Sequence, residues 1–180
     1  MSYDLYFYKK NDSSLTEDSL ADYLTRNQKF NAEQPGQWSY ENSETGVYFW
    51  INRNEPNTGE DDKSLFDNFD SFANLNFTFG INFFRPRFFG LEVFPIIEKI
   101  IADNDLWILN PQDEKDPDNP QKFAPGYLQE QWIQHNDKVT IGQFKELDID
   151  YYPLDKSNYM WRFLLNREEI QNKLTEDIFV

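Results

Sequence analysis

Leu75-Asn76-Phe77-Thr78-Phe79-Gly80-Ile81-Asn82-Phe83 alternates without a break. Leu75, Phe77, Phe79, Ile81 and Phe83 fall on one side; Asn76, Thr78, Gly80 and Asn82, with Asn74 before them, fall on the other. Side chains of a strand point to opposite faces with period 2, so this run is a β-strand with one buried face. A helix would scatter the same residues around its axis. Each buried Phe or Ile contributes roughly 1.5–3 kcal/mol by area, so the dry face supplies about 10 kcal/mol before ordering entropy is set against it. The Asn/Thr face is half-wet or covered by something polar. The strand anchors the fold and carries no reactive group.

Working outward, Tyr3 to Tyr8 reads as a first strand, closed by Lys9, Lys10, Asn11 and Asp12. Thr16 is placed to cap a helix whose first turn holds Glu17 and Asp18, with Leu15 as a staple to Leu20. Leu20, Tyr23 and Leu24 form its inward stripe, and the helix is expected to end near Asn27. Gln37–Glu41 and Val47–Asn52 read as a hairpin around a turn over 42–46 that ends in Gly46. A polar loop over 54–64 holds Glu60, Asp61 and Asp62.

Beyond the anchoring strand, Phe84-Arg85-Pro86-Arg87-Phe88-Phe89-Gly90 breaks the pattern. Val93, Ile96, Ile97, Ile100 and Ile101 then share one helical face, with Pro95 expected in the first turn. Leu106–Leu109 reads as a short strand. The order strand, helix, hairpin, strand, helix, strand predicts an α+β fold: a ferredoxin-like two-layer sandwich, β-α-β-β-β-α-β, over residues 1–112. Residues 113–126 read as a linker rich in proline and acid, and residues 127–180 as an α/β extension packing on the sheet. That extension is expected to hold a helix over 127–134, a strand over 159–165 and a helix over 167–174 capped by Asn166. The apolar end, Ile178-Phe179-Val180, suggests either a docked strand or a piece of a longer chain.

Composition removes several classes of function. The chain has 180 residues, a net charge of −15, and 17 Phe, 10 Tyr and 5 Trp. So many rings argue against disorder. So acidic a surface repels nucleic-acid phosphates and anionic lipid, and attracts a basic protein. With no cysteine, disulfides, thiolate zinc sites and Cys nucleophiles are excluded. Neither a secretory leader nor an apolar run of the roughly 20 residues a membrane span needs is visible, so a cytoplasmic protein is expected.

Catalytic signatures are weak. His135 is the single histidine and reads as a surface residue near a helix end, short of a triad or a zinc site. Counting from Asp116, an EF-hand would need Gly at Gln121 and Glu at Tyr127, so the loop acids fail that spacing. Asp148-Ile149-Asp150 has a metal-nucleotide spacing without a glycine-rich cradle; on a strand the two acids would share the solvent face. No cofactor, metal or catalytic residue is expected.

Two binding features remain. Arg85 and Arg87, flanked by Phe84 and Phe88, could hold an anion between aromatic walls, helped by helix amides, or could stack on those rings. Tyr6, Tyr8, Trp38, Tyr40, Tyr48 and Trp50 lie on strands that already hold Leu5, Phe7, Phe49 and Ile51, so a second face is apolar too. That face is either covered by the later residues or forms an interface together with Glu60, Asp61 and Asp62. The leading expectation is a non-enzymatic acidic binding protein, in one form an immunity or antitoxin-type protein that neutralises a basic toxin. The alternative is a small-molecule or peptide binder at Arg85, Arg87, Phe84 and Phe88. A metal enzyme on Asp148 and Asp150 is the third.

Overall fold

In chain order the elements are β1 (Ser2–Lys10), α1 (Glu17–Arg26), β2 (Asn31–Gln34), β3 (Gln37–Asn42), β4 (Val47–Arg53), β5 (Phe72–Asn82), α2 (Phe88–Asp103), β6 (Trp107–Leu109), α3 (Tyr127–Glu146), α4 (Leu154–Leu165) and α5 (Arg167–Lys173). The computed structural model describes residues 2–55, 69–148, 150 and 152–174. The strands make one open sheet in the order β2-β3-β4-β5-β1-β6, antiparallel at every pairing. The chain is therefore a mixed α+β protein.

β5 behaves as its alternation predicts. Leu75, Phe77, Phe79, Ile81 and Phe83 are all buried in the core that α1 and α2 cover. On its other face Gly80 leaves room for the Trp50 indole, whose Nε1 would stand 2.3 Å from an added Cβ. Alternation did not disclose a bulge. Phe7 pairs with Phe77 but Tyr8 pairs with Asn74, so β5 carries two extra residues there. Two extra residues preserve a period of 2, so the in/out pattern stays intact. Asn76 takes a left-handed φ of 57° at the bulge, and its side chain donates to Glu17 Oε1 at 2.8 Å. Glu17 in turn accepts from Arg53 at 2.9 Å, tying the start of α1 to the end of β4.

α1 starts where its cap predicts. Thr16 Oγ1 accepts from the Ser19 amide at 3.1 Å and Ser19 Oγ from the Thr16 amide at 2.9 Å, a reciprocal box. The hairpin β3–β4 also forms as expected, with the Gly46 amide donating to Asn42 O. β2, a polar edge strand, has no apolar alternation that would have revealed it.

Three expectations are corrected. Pro95 sits in the interior of α2, because the helix starts at Phe88. An interior proline costs about 3 kcal/mol, yet Phe89, Val93, Phe94, Ile97 and Ile100 are buried on the same helix and together outweigh it at roughly 1.5–3 kcal/mol each. The helix expected over 127–134 runs on to Glu146 despite the β-branched Val139-Thr140-Ile141 and Gly142, because Asn136 and Val139 find inward contacts. The strand expected over 159–165 is the second half of α4, so the described part of the C-terminal extension is helical rather than α/β. A short apolar run fits either element, and here one side chain, Trp161, turns inward.

α3 packs on α2 rather than on the aromatic second face of the sheet. Leu128 and Trp132 join the same buried cluster as Tyr3 and Phe94. Trp132 lies against Gly90, where a Cβ would stand 1.8 Å from the indole. Among the described residues no helix is long and apolar enough to cross a membrane.

These contacts set opposite outcomes for two helical glycines. Gly90→Ala should gain about 1 kcal/mol of helix propensity but lose about 1–3 kcal/mol to overpacking against a fully buried indole, a net destabilisation. Gly142→Ala, with nothing within 4 Å of the added carbon, should stabilise by up to about 1 kcal/mol. Denaturant unfolding of both variants checks the pair; a stabilised Gly90→Ala contradicts the packing described.

Candidate functional site

The segment joining β5 to α2 forms one wall of a cleft of about 130 Å³. Phe84, Arg85, Pro86 and Arg87 line it from that side. α3 supplies Asn136, Asp137, Thr140, Ile141 and Phe144, and the far wall is Tyr152 with Leu154 and Ser157 of α4. The sequence placed three of these residues together as Phe84, Arg85 and Arg87. Phe88 is not in the cleft: it stacks on Trp161 with ring centroids 6.3 Å apart and planes 11° apart.

Asn136 holds the breaker segment in place. Only 2 % exposed, it donates from Nδ2 to Phe83 O at 2.6 Å and to Arg85 O at 2.9 Å. A turn's carbonyls need partners when buried, and one amide on α3 serves two of them. The polar run Gln134-His135-Asn136-Asp137 reads as a helix end in the sequence, which masks this role.

The two arginines differ. Arg85 lies over the Tyr48 ring at 5.0 Å, and its Nε and Nη2 donate to the Tyr48 hydroxyl at 3.0 and 2.6 Å. Stacked and bonded, it is the packed arginine that sequence reasoning set against a ligand site. Among the described residues the Arg87 guanidinium has one charged partner, the Asp137 carboxylate, at 3.9 Å, beyond hydrogen-bond distance. The Phe89 and Gly90 amides at the start of α2 are already taken, by Pro86 O and Arg87 O.

The far wall is held by a buried carboxylate that sequence reasoning missed. Glu92 of α2 is 8 % exposed. Its Oε1 accepts from Tyr40 Oη at 2.8 Å, Asn42 Nδ2 at 2.8 Å and Thr45 Oγ1 at 3.1 Å; its Oε2 accepts from Trp161 Nε1 at 2.6 Å. No cation among the described residues pairs with it, so neutral donors alone solvate the charge. Burial, and then the carboxylate, push the Tyr40 phenol well above its usual range. Arg167 reinforces the attachment from α5, reaching Glu44 of the hairpin turn at 3.1 Å.

The aromatic interface candidates divide between the faces of the sheet. Trp38 pairs with Ile51 and Tyr40 with Phe49, so both share the core face. Trp38 stacks on Phe77 at 5.7 Å and donates to Thr25 Oγ1, while Tyr40 stacks on Phe49 at 5.1 Å. Tyr6, Tyr8, Tyr48 and Trp50 take the other face, with Tyr8 fully buried beside Phe69. Glu60, Asp61 and Asp62 lie outside the described residues. The large apolar side chains left exposed are elsewhere: Ile141, Leu147, Tyr152, Tyr159, Met160, Leu165 and Leu174 are those of the described residues. All belong to the second half of α3, to α4, or to the turns beside α3, α4 and α5.

Asp148 and Asp150 do not sit on a strand. Asp148 closes the turn after α3 at a φ of 53°, and both side chains are exposed. Among the described residues no three His, Asp or Glu side chains gather as metal ligands would. His135 lies in mid-helix, not at a helix end, with its ring 5.6 Å from Tyr3 and 5.3 Å from Phe83. No family model, curated protein or solved structure matches the chain. Its own side chains carry what can be said of its task.

Burial holds the His135 pKa below its ordinary value of 6.5, with Lys138 adding to the shift and Glu114 opposing it. The folded state thus binds that proton less readily than the unfolded one. The stability the neutral ring contributes is complete above the unfolded pKa and declines as pH falls below it toward the lower folded value. The melting temperature of the wild type should fall more than that of His135→Gln between about pH 7 and about pH 5. Equal falls would contradict a half-buried ring held neutral by its surroundings.

Proposed function

We propose that this chain is a non-catalytic acidic binding protein that captures a basic partner protein. The observation that carries the reading is the series of exposed apolar side chains from Ile141 of α3, through Tyr159, Met160 and Leu165 of α4, to Leu174 just after α5, with Leu147 and Tyr152 between the helices, on a chain of net charge −15. Exposed large apolar side chains are a feature of interaction sites, while net charge of this size speeds encounter with a positive partner. An immunity or antitoxin-type protein against a basic toxin is one concrete form. Such a protein needs anchors and charge but no reactive group. We also read the fold as an elaborated ferredoxin-like sandwich. The order β4-β5-β1-β6, with α1 and α2 as crossovers, supports that reading, with β2 and β3 as an added edge.

A second reading is favoured by one specific observation. The cleft that joins Phe84, Arg85 and Arg87 to α3 and α4 is the size of a small ligand or a single side chain. On that view the protein binds a small molecule or a peptide there.

Immobilised protein exposed to lysate of its source cells tests the first reading. A basic protein should be retained at about 0.05 M salt and released by about 0.5 M, since screening removes steering and rim attraction. Tyr159→Ala, which strips an exposed anchor, should weaken retention at unchanged melting temperature. Recovery of no basic protein, or retention indifferent to salt, would sink the proposal.

A further inference from the structure

We infer that the cleft binds a small aromatic monocarboxylate, its ring between Phe84, Phe144 and Leu154 and its carboxylate on Arg87. The inference rests on the second reading above, that the cleft holds a ligand. Three observations lead to it. The volume, about 130 Å³, is close to that of an apolar protein cavity that takes up benzene, roughly 150 Å³, so one ring fits. Phe84, Pro86, Ile141, Phe144, Tyr152 and Leu154 make its walls mainly apolar, which suits a ring.

The third observation is the state of Arg87. Its side chain is one-third exposed and makes no hydrogen bond to any described residue. A guanidinium has five N–H donors in a fork matched to a carboxylate, and Arg87 uses none of them on the Asp137 carboxylate 3.9 Å away. Arg85, by contrast, is already committed to Tyr48. Recognition therefore falls to one cation, which selects one negative charge rather than a phosphate or a dicarboxylate. Asp137 opposes the ligand by its own charge, and the net charge of −15 discourages anions in general. The expected affinity is accordingly modest, and Asp137 becomes the residue that sets it.

Titration calorimetry with 3-phenylpropanoate and its uncharged amide, 3-phenylpropanamide, separates the possibilities. The wild type should bind the acid about tenfold more tightly than the amide, the value of one charge-assisted hydrogen-bond pair. Arg87→Gln should erase that preference without weakening the amide. Asp137→Asn should widen it, and this variant carries the test if Arg87→Gln does not fold. Equal binding of acid and amide by the wild type would overturn the carboxylate inference while leaving a ring-sized pocket. Failure of both probes to bind would overturn the pocket reading itself.

Discussion

Four neutral donors converge on the Glu92 carboxylate, and the C-terminal helices depend on that convergence. Glu92 projects from α2; Tyr40, Asn42 and Thr45 come from β3 and its turn; Trp161 comes from α4. A buried carboxylate without a cation is costly unless its lone pairs are filled, and hydrogen bonds to a charged group contribute about 1.5–3 kcal/mol each. Removing any one donor leaves the charge less well solvated, so the four donors support one another. The clasp decides more than local stability. α4 forms the far wall of the cleft, so loosening Trp161 loosens that wall.

Polar side chains organise both sides of the candidate site, and neither was legible in the sequence. The alternation of β5, the Thr16 cap and the hairpin around Gly46 are local patterns, readable because period and spacing lie within a few residues. Asn136 and Glu92 act on partners about 50 residues away. Nothing in a window of sequence marks which polar residue of a helix turns inward. Arg85 and Arg87 were legible as a pair because one residue separates them, but their different fates depend on Tyr48 and Asp137, which only folding brings to them.

Register explains the divided aromatic candidates. Trp38 and Tyr40 alternate cleanly along β3, and so do Phe49 and Ile51 along β4. Whether the two sets share a face depends on how the strands pair, and the observed register puts Trp38 opposite Ile51 and Tyr40 opposite Phe49. A shift of one residue would have sent both rings to the other face. The bulge in β5 shows the converse case, because two extra residues leave the alternation unchanged. Short apolar runs such as Tyr159 to Leu165 suit strand or helix until a tertiary partner, here Glu92, chooses.

Hydrogen exchange on Glu92→Gln tests the clasp most directly. Glutamine keeps the shape but replaces one acceptor by an amide donor, which then faces Trp161 Nε1 or Asn42 Nδ2, themselves donors. The clasp requires that the amides of α4 and α5 lose protection while those of β1 and β5 keep theirs. Unchanged protection across α4 in a folded Glu92→Gln protein would contradict the account.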